Sequence, residues 1–285
     1  MDTRAMVNIA LKLAGLEEDT VDTEIGCAGQ DVKRVLAGID MDTATLLAAK
    51  QRGYDCVAEH HGIMGRAVRI GEQMLKDQMM LMYRFGVPIN VAQKAIEKRA
   101  RQESQKMHSK NLNRQADFAK FIDMPYLGLH TPADLIGQAI VQERMDALTK
   151  DKPFTTLQDV VDVLNEFPEV RGALQDPAIR VGEPGSYAGK VCVLFAGVTG
   201  GGAQVYNTFF DYGVGTLIVM HMPEDDIKAV AEHNKGNVII PDKVLSNDKG
   251  LCQAIWAWLL CIREGNSKFR TISKKLFKTR KILRS

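Results

Sequence analysis

Short apolar runs, each followed by a turn and a helical pattern, recur along the chain and restrict it to an alternating α/β architecture. Cys56-Val57-Ala58, Tyr126–Leu129, Lys190–Ala196, Thr216–Met220 and Asn237–Ile240 are too short for buried helices and read as strands. Asp2 and Thr3 can cap a first helix through Met6, Ile9, Ala10 and Leu13, stopped by Gly15. A polar stretch follows to Gln30. Val32–Ile39 predicts a buried strand ending at Asp40, and Asp42 and Thr43 cap a helix that runs through Leu46, Leu47 and Ala49 to Gly53. With Cys56-Val57-Ala58 this makes a βαβ unit, and open parallel sheets carry their ligand sites at the carboxyl ends of the strands.

Residues 66–121 read as mostly helical, interrupted at Gly86-Val87-Pro88. Met74, Met79, Met80 and Met82 mark a core or interface stripe. Gln93–Lys110 is charged enough for a solvated helix or hairpin arm, with His108 on its surface. After the strand ending at Leu129, Thr131-Pro132 resembles a cap followed by proline at the first helical position, and the helix runs through Leu135, Ile136, Ile140 and Met145. Lys152-Pro153 reads as a linker, and a helix follows over 157–167. The second half repeats the strand–turn–helix order. Its turn Gly197-Val-Thr-Gly-Gly-Gly202 lacks the lysine of a phosphate loop and the spacing of a dinucleotide fingerprint, so it reads as a close backbone approach in preference to an anion cradle. The boundaries predicted are a first α/β unit over 1–150, a second over 151–240, and an atypical basic segment over 241–285.

Composition narrows the class. Of 285 residues, 45% are hydrophobic and 25% charged, as in an ordinary globular protein. No apolar run approaches the ~20 residues of a membrane span. The cysteines are Cys27, Cys56, Cys192, Cys252 and Cys261, an odd set without C-x-x-C spacing, which predicts reduced thiols rather than a disulfide framework. The start of the sequence lacks the basic and apolar regions of a signal peptide, so a cytoplasmic location is expected. The net charge of +2 hides an asymmetry: from residue 241 onward lysines and arginines far outnumber Asp242, Asp248 and Glu264, and both Trp256 and Trp258 lie there. Phe269, Ile272, Leu276, Phe277 and Ile282 interleave with the charges, but the segment reads as a solvated end, with no nucleic-acid partner expected.

Two pairs of residues carry metal chemistry. His60 and His61 stand together where a strand runs into a loop, and neutral imidazole is the commonest protein metal ligand. Neighbouring side chains on a strand point to opposite faces, so each ring can serve a different ion, which hints at a two-metal site. His130 lies at another strand end, within four residues of Asp134 in the following helix. Taken separately these have plain explanations: a surface dipeptide, a strand-end histidine, and a carboxylate favoured at a helix N-terminus.

Together, Asp55-Cys-Val-Ala-Glu-His-His61, Leu129-His-Thr-Pro-Ala-Asp134, and the stretch from Gly200-Gly-Gly202 to His221 resemble the Nif-three-like proteins, often labelled GTP cyclohydrolase type-two homologues. The resemblance covers roughly residues 1–240. It implies two α/β units with a dinuclear metal centre between them, and a toroidal hexamer. It further implies His60 and His61 as ligands, one toward each ion, Asp134 as another ligand, and His130 beside the site. Divalent zinc, iron and manganese all suit such donors. The family's remaining ligands come from a late Gly-His-x-x-Ser-Asp/Glu motif. Aligned on Ser246 and Gly250, this sequence places Lys243 where the histidine is expected and Asn247 where the shared carboxylate is expected. Two readings fit: divergence to a weakened or single-metal centre, or a changed reading frame near codon 241.

The resemblance implies a metal-dependent, hydrolase-like enzyme acting on a nucleotide or other small molecule, and His130 is the candidate catalytic residue, for proton transfer or for support behind the ligands. Paired ions activate water and clamp a charged transition state. The alternative is a non-catalytic metal-binding or regulatory scaffold, which the substitutions at Lys243 and Asn247 favour.

Overall fold

The computed structural model describes residues 1–167, 170 and 176–241. The late segment, with Lys243, Asn247 and the basic stretch, lies outside the described residues. Two four-stranded sheets share one plan. In the first, β1 (Thr23–Cys27), β2 (Val35–Gly38), β3 (Cys56–Glu59) and β4 (Tyr126–Leu129) lie in the order β1-β4-β3-β2. In the second, β5 (Ala178–Val181), β6 (Val191–Leu194), β7 (Thr216–Val219) and β8 (Asn237–Ile240) lie in the order β5-β8-β7-β6. Three strands of each sheet are parallel, and β1 and β5 are the antiparallel edges. Every residue of β3, β4, β6 and β7 is buried, as strands covered on both faces require.

The caps read at Asp2 and Asp42 are present. Asp2 accepts the Ala5 N–H at 2.7 Å and starts α1 (Thr3–Ala14), which ends at Gly15 with φ +73°. Asp42 accepts the Thr45 N–H at 2.7 Å and starts α2 (Thr43–Gln51). Two strands lack a continuous apolar run in the sequence. β1 lies in the polar stretch before Gln30, and β5 precedes the second unit's apolar runs. Both are half-exposed edges, so neither needs the apolar run that marks a central strand. β2 begins later than Val32 because the Asp55 carboxylate takes the Lys33 and Arg34 amides at 2.8 and 2.7 Å, out of the ladder.

Between β3 and β4 the chain makes a long helical excursion: a 3-10 turn Gly65–Arg69, α3 (Ile70–Arg84), α4 (Ile89–His108) and α5 (Arg114–Phe121). The α3–α4 hairpin covers the second sheet. Met74, Leu81, Met82, Ala92 and Ile96 bury against Leu194, Leu217 and Val219, and against Tyr206 and Phe209 of the helix Ala203–Asp211. Of the methionine stripe, Met74 and Met82 are fully buried core and Met79 packs against it partly buried, while Met80 is exposed. The arm expected at Gln93–Lys110 is the second limb of this hairpin, anchored by Ala95, Ile96, Ala100 and Met107.

A second crossing element follows β4. α6 (His130–Thr149) packs Ala133 on the first sheet beside α1. Its later residues Val141 and Met145 join α7 (Leu157–Leu164) against Val191, Val193, Ile218 and Ile239. These alternate with Cys192, Leu194, Leu217 and Val238 of the hairpin's core, so α6–α7 and α3–α4 cover opposite faces of the second sheet.

The first sheet leaves little room near its carboxyl end. A Cβ on Gly128 would lie 2.4 Å from the Gly62 carbonyl oxygen, so β4 meets the loop after His61 backbone to backbone. Gly128→Ala is expected to lower the unfolding free energy by roughly 1–3 kcal/mol, the usual range for overpacking. Gly185→Ala, which meets open space, should stay within about 0.5 kcal/mol of wild type. Urea denaturation of both variants checks this, and equal losses would refute the contact.

Candidate metal centre

The sheet delivers the histidines. Past the end of β3 the pairing with β2 continues, with His60 N–H donating to Gly38 O at 2.9 Å and His61 N–H to Ile39 O at 3.0 Å. The backbone of the pair is therefore held before the chain turns at Gly62. His60 is buried and His61 half-buried. Although neighbours, their ring centroids are 4.7 Å apart, because the strand has ended. β4 runs straight into α6, so His130 is the first helical residue, one earlier than the Thr131 cap read from the sequence. Asp134 follows one turn later on the same helix face.

All four residues singled out from the sequence converge. His60 Nε2 is 3.4 Å from Asp134 Oδ1, and His130 Nδ1 is 3.6 Å from Asp134 Oδ2. The His130 ring stacks on His60 at 4.6 Å between centroids and lies 5.5 Å from His61. His60, His61 and His130 each offer a ring nitrogen within 4.8 Å of the others. Both Asp134 oxygens are buried and accept no hydrogen bond among the described residues. A buried carboxylate without donors is costly unless something positive offsets it. Three imidazoles beside it make a donor set that fits a divalent metal ion.

Two further carboxylates escaped the sequence reading. Asp22 Oδ2 lies 2.8 Å from His130 Nδ1 and accepts the Thr131 hydroxyl at 2.8 Å, while its Oδ1 accepts from Thr20 at 2.6 Å. Asp40 Oδ1 lies 2.8 Å from His61 Nδ1. The signal for both is strand register. Thr23 pairs with Leu129, which sets Asp22 beside His130, and Gly38 pairs with Glu59, which sets Asp40 level with His61. Under the pair, Glu59 accepts from the Met41 amide at 2.8 Å and from the Tyr126 hydroxyl, and burial pushes its carboxyl up.

The charges are unevenly shared. Burial raises the Asp22 carboxyl, but His130 and the hydroxyls of Thr20 and Thr131 outweigh it and hold it at about 2. Burial lowers the His130 imidazolium, and the charges of Asp134 and Asp22 carry it up to about 9. Burial pushes Asp134 up to about 7, against the pull of His130. Burial, with the nearby rings of His130 and His61, brings His60 down to about 2, so it is neutral at neutral pH.

The cluster opens on a cavity of about 290 Å³ between the carboxyl ends of the two sheets. His61, His130, Asp22 and Asp134 line one side, and Phe195, Val198, Thr199, Met220 and His221 another. Glu103 of α4 and Lys110, just past its end, close a third. The 197–202 turn is a close backbone approach: Gln78 of α3 donates to Gly197 O at 3.1 Å and to Thr199 O, and a Cβ on Gly201 would meet Gln78 at 2.4 Å. At the start of the following helix the Ala203 amide is taken by Asp226 at 3.0 Å.

A scan of family models and a search of curated proteins return no match to this sequence. Among solved structures, a NIF3 superfamily protein from Sphaerobacter thermophilus is 30% identical, with a TM-score of 0.83 over 86% of this chain and 90% of that one. The protein TTHA1606 from Thermus thermophilus is 14% identical, with a TM-score of 0.52 over 93% of this chain and 95% of that one, a likeness of fold alone.

The cluster makes metal-free stability depend on pH. His130, raised from 6.5 to about 9, contributes fully below 6.5 and loses its contribution as pH rises through 9. Asp22, lowered from 3.8 to about 2, contributes above 3.8 and loses it as pH falls through 2. In between, rising pH costs stability through Asp134 and restores it through His60, and the two oppose each other. The unfolding free energy of metal-free protein is expected to fall from pH 6.5 to 9. His130→Asn should flatten that fall, and an equally steep fall in the variant would remove His130 as its cause.

Proposed function

The chain belongs to the NIF3 superfamily, and from that premise we propose a metal-dependent, hydrolase-like enzyme whose ion is held by His60, His61 and Asp134. The substrate is a nucleotide or other small molecule seated in the cavity between the sheets. Asp134 carries this reading: a fully buried carboxylate whose oxygens accept no hydrogen bond among the described residues, set against imidazole nitrogens. A bound divalent ion supplies a Lewis acid and an activated water at neutral pH.

The chain's own residues do the rest. Asp40 and Asp22 fix the rings of His61 and His130 through Nδ1. The backbone bonds of His60 and His61 to Gly38 and Ile39 hold the strand end rigid. Leu194, Phe195 and Val198 give the cavity an apolar wall that excludes water, while Thr199, Lys110 and His221 offer polar contacts to a substrate. At about 290 Å³ the space is at the small end for ligand sites, which favours a compact substrate over a polymer. We propose also that the working unit is a homo-oligomer, a hexamer. The exposed rings of Phe121 and Phe154 offer apolar surface to a partner copy.

Elemental analysis and a hydrolysis screen over nucleoside mono-, di- and triphosphates test this. Wild type is expected to carry tightly bound divalent metal and to lose turnover on chelation. Asp134→Ala should lose the metal and at least ~100-fold in turnover, a metal-ligand loss being larger than that of a residue behind the ligands. Metal retained in full by Asp134→Ala would remove it from the ligand set. Wild type that holds its metal yet turns over nothing in the screen would favour the scaffold.

A further inference from the structure

The glycine-rich turn after β6 holds amides that the fold itself does not use. Gln78 of α3, itself buried, donates from its side-chain amide to Gly197 O at 3.1 Å and to Thr199 O. In a trans peptide the carbonyl and the N–H that follows it point in opposite directions. Drawing these two carbonyls toward Gln78 therefore turns the Val198 and Gly200 amides away from it. Val198, Thr199 and Gly200 line the cavity, and Gln78 does not. The amides of Val198, Gly200 and Gly201 have no acceptor among the described residues. Unpaired amides gathered in one turn make a concavity suited to an anion.

A second, independent group points to the same place. Tyr206, in the first turn of the helix Ala203–Asp211, is fully buried, and its hydroxyl has no hydrogen-bond partner among the described residues. That hydroxyl is 2.4 Å from where a Cβ on Gly200 would lie, and Tyr206 and Gly200 line the cavity together. Burial pushes the phenol up to about 12, so at neutral pH it is a donor. A buried hydroxyl without a partner is costly, and an acceptor brought by a ligand relieves that cost. The Thr199 hydroxyl is likewise without a partner among the described residues. Lys110, which has no carboxylate partner among them, brings a positive charge to the same cavity. The lysine that the turn lacks in its own sequence is thus supplied from the end of the α3–α4 hairpin.

Two carboxylates border this group, and both are engaged. Asp226 accepts the Ala203 amide at 3.0 Å, so the cradle lies in the turn and not at the first amide of the helix. Glu103 Oε1 accepts from Lys106 at 2.7 Å and faces Arg99 Nη2 at 3.1 Å. The donors that remain are three amides, two hydroxyls and one ammonium. They suit a phosphate, with three charged acceptor oxygens, better than a planar carboxylate with two. Resting on the reading of this cavity as the substrate site, we propose that the 198–201 backbone, Thr199, Tyr206 and Lys110 form a cradle for a phosphate group of the substrate. The substrate is then a small phosphorylated compound. Its phosphate is held by the second sheet, while another part of the molecule reaches across the cavity to the histidine cluster of the first.

The test titrates inorganic phosphate, and acetate as the carboxylate control, into the full chain as purified and after metal removal, by calorimetry. Phosphate is expected to bind both forms, and more tightly than acetate. Tyr206→Phe should weaken phosphate binding at least ~10-fold, as the loss of a hydrogen bond to a charged group does. It should not lower the urea midpoint of the unliganded protein, because the hydroxyl has no partner to lose. Lys110→Ala should weaken binding several-fold and flatten its dependence on salt. An unchanged phosphate affinity in Tyr206→Phe, or phosphate held only by the metal-loaded chain, would overturn the proposal. Circular dichroism shows whether Tyr206→Phe is folded. If it is not, Lys110→Ala decides, and an unchanged affinity there overturns the proposal. Acetate bound as tightly as phosphate, with the same loss in Tyr206→Phe, would replace the phosphate by a carboxylate and overturn the assignment. Phosphate held in the cradle without turnover of any compound would sink the hydrolase and leave the cradle standing. Turnover with the same KM in wild type and Tyr206→Phe would do the reverse.

Discussion

The placement of α6 is the constraint on which the site depends. Its start carries His130 and Asp134 at the end of β4, and its later turns reach the β6 edge of the second sheet. Gln138 accepts the Phe195 and Ala196 amides at 3.0 Å, and Gln142 accepts the Val193 amide at 2.8 Å and donates to Val191 O at 2.9 Å. β6 is an edge strand, so these side chains fill hydrogen-bonding positions that would otherwise stay open. Residues 134, 138 and 142 are spaced by four and share a helix face. The rotation of α6 that serves the edge of one sheet is thus the rotation that turns Asp134 toward the histidines of the other. Neither can change alone.

That linkage explains how a costly arrangement is tolerated. Burying Asp134 without donors raises its pKa to about 7, which means the fold alone disfavours its charge at neutral pH. A site with a well-placed but unsatisfied carboxylate is stable only if other interactions outweigh it, and functional sites commonly carry such deficits. Here the stabilising side includes the packing of α6 on both sheets and the Asp22–His130 pair. It also includes the α3–α4 hairpin, which leaves the first unit to cover the second and clasps the 197–202 turn through Gln78. The cavity walls belong to two sheets, but they are tied by helices common to both.

Much of this was legible in the sequence, and the part that was not has a physical pattern. The central strands announce themselves because burial on both faces demands apolar runs, and α1 and α2 announce themselves through Asp2 and Asp42. His60, His61, His130 and Asp134 could be picked out because strand ends and first helical turns are where α/β folds place their chemistry. β1 and β5 were hidden because an edge strand is half-exposed and can be polar. Asp22 was hidden with β1, since only the pairing of Thr23 with Leu129 brings it to His130. The destination of the methionine stripe was hidden for a related reason. An amphipathic face states that it will be buried but not against which sheet.

The repeated topology sharpens the asymmetry of the site. β3 and β7 occupy equivalent places in their sheets, as do β4 and β8. β3 ends in His60-His61, and β7 ends in Met220-His221, with His221 lining the same cavity. β4 leads into His130 and Asp134, and its counterpart β8 leads into Pro241 and then, in sequence, Asp242 and Lys243. Two sheets built alike and facing one cavity have the means to contribute donors alike. Among the described residues the imidazole–carboxylate cluster lies on the first sheet, while the second offers the cavity mainly apolar wall, a glycine-rich turn and His221. On the function proposed above, the first sheet would be the metal-binding half and the second the half that shapes what can approach it.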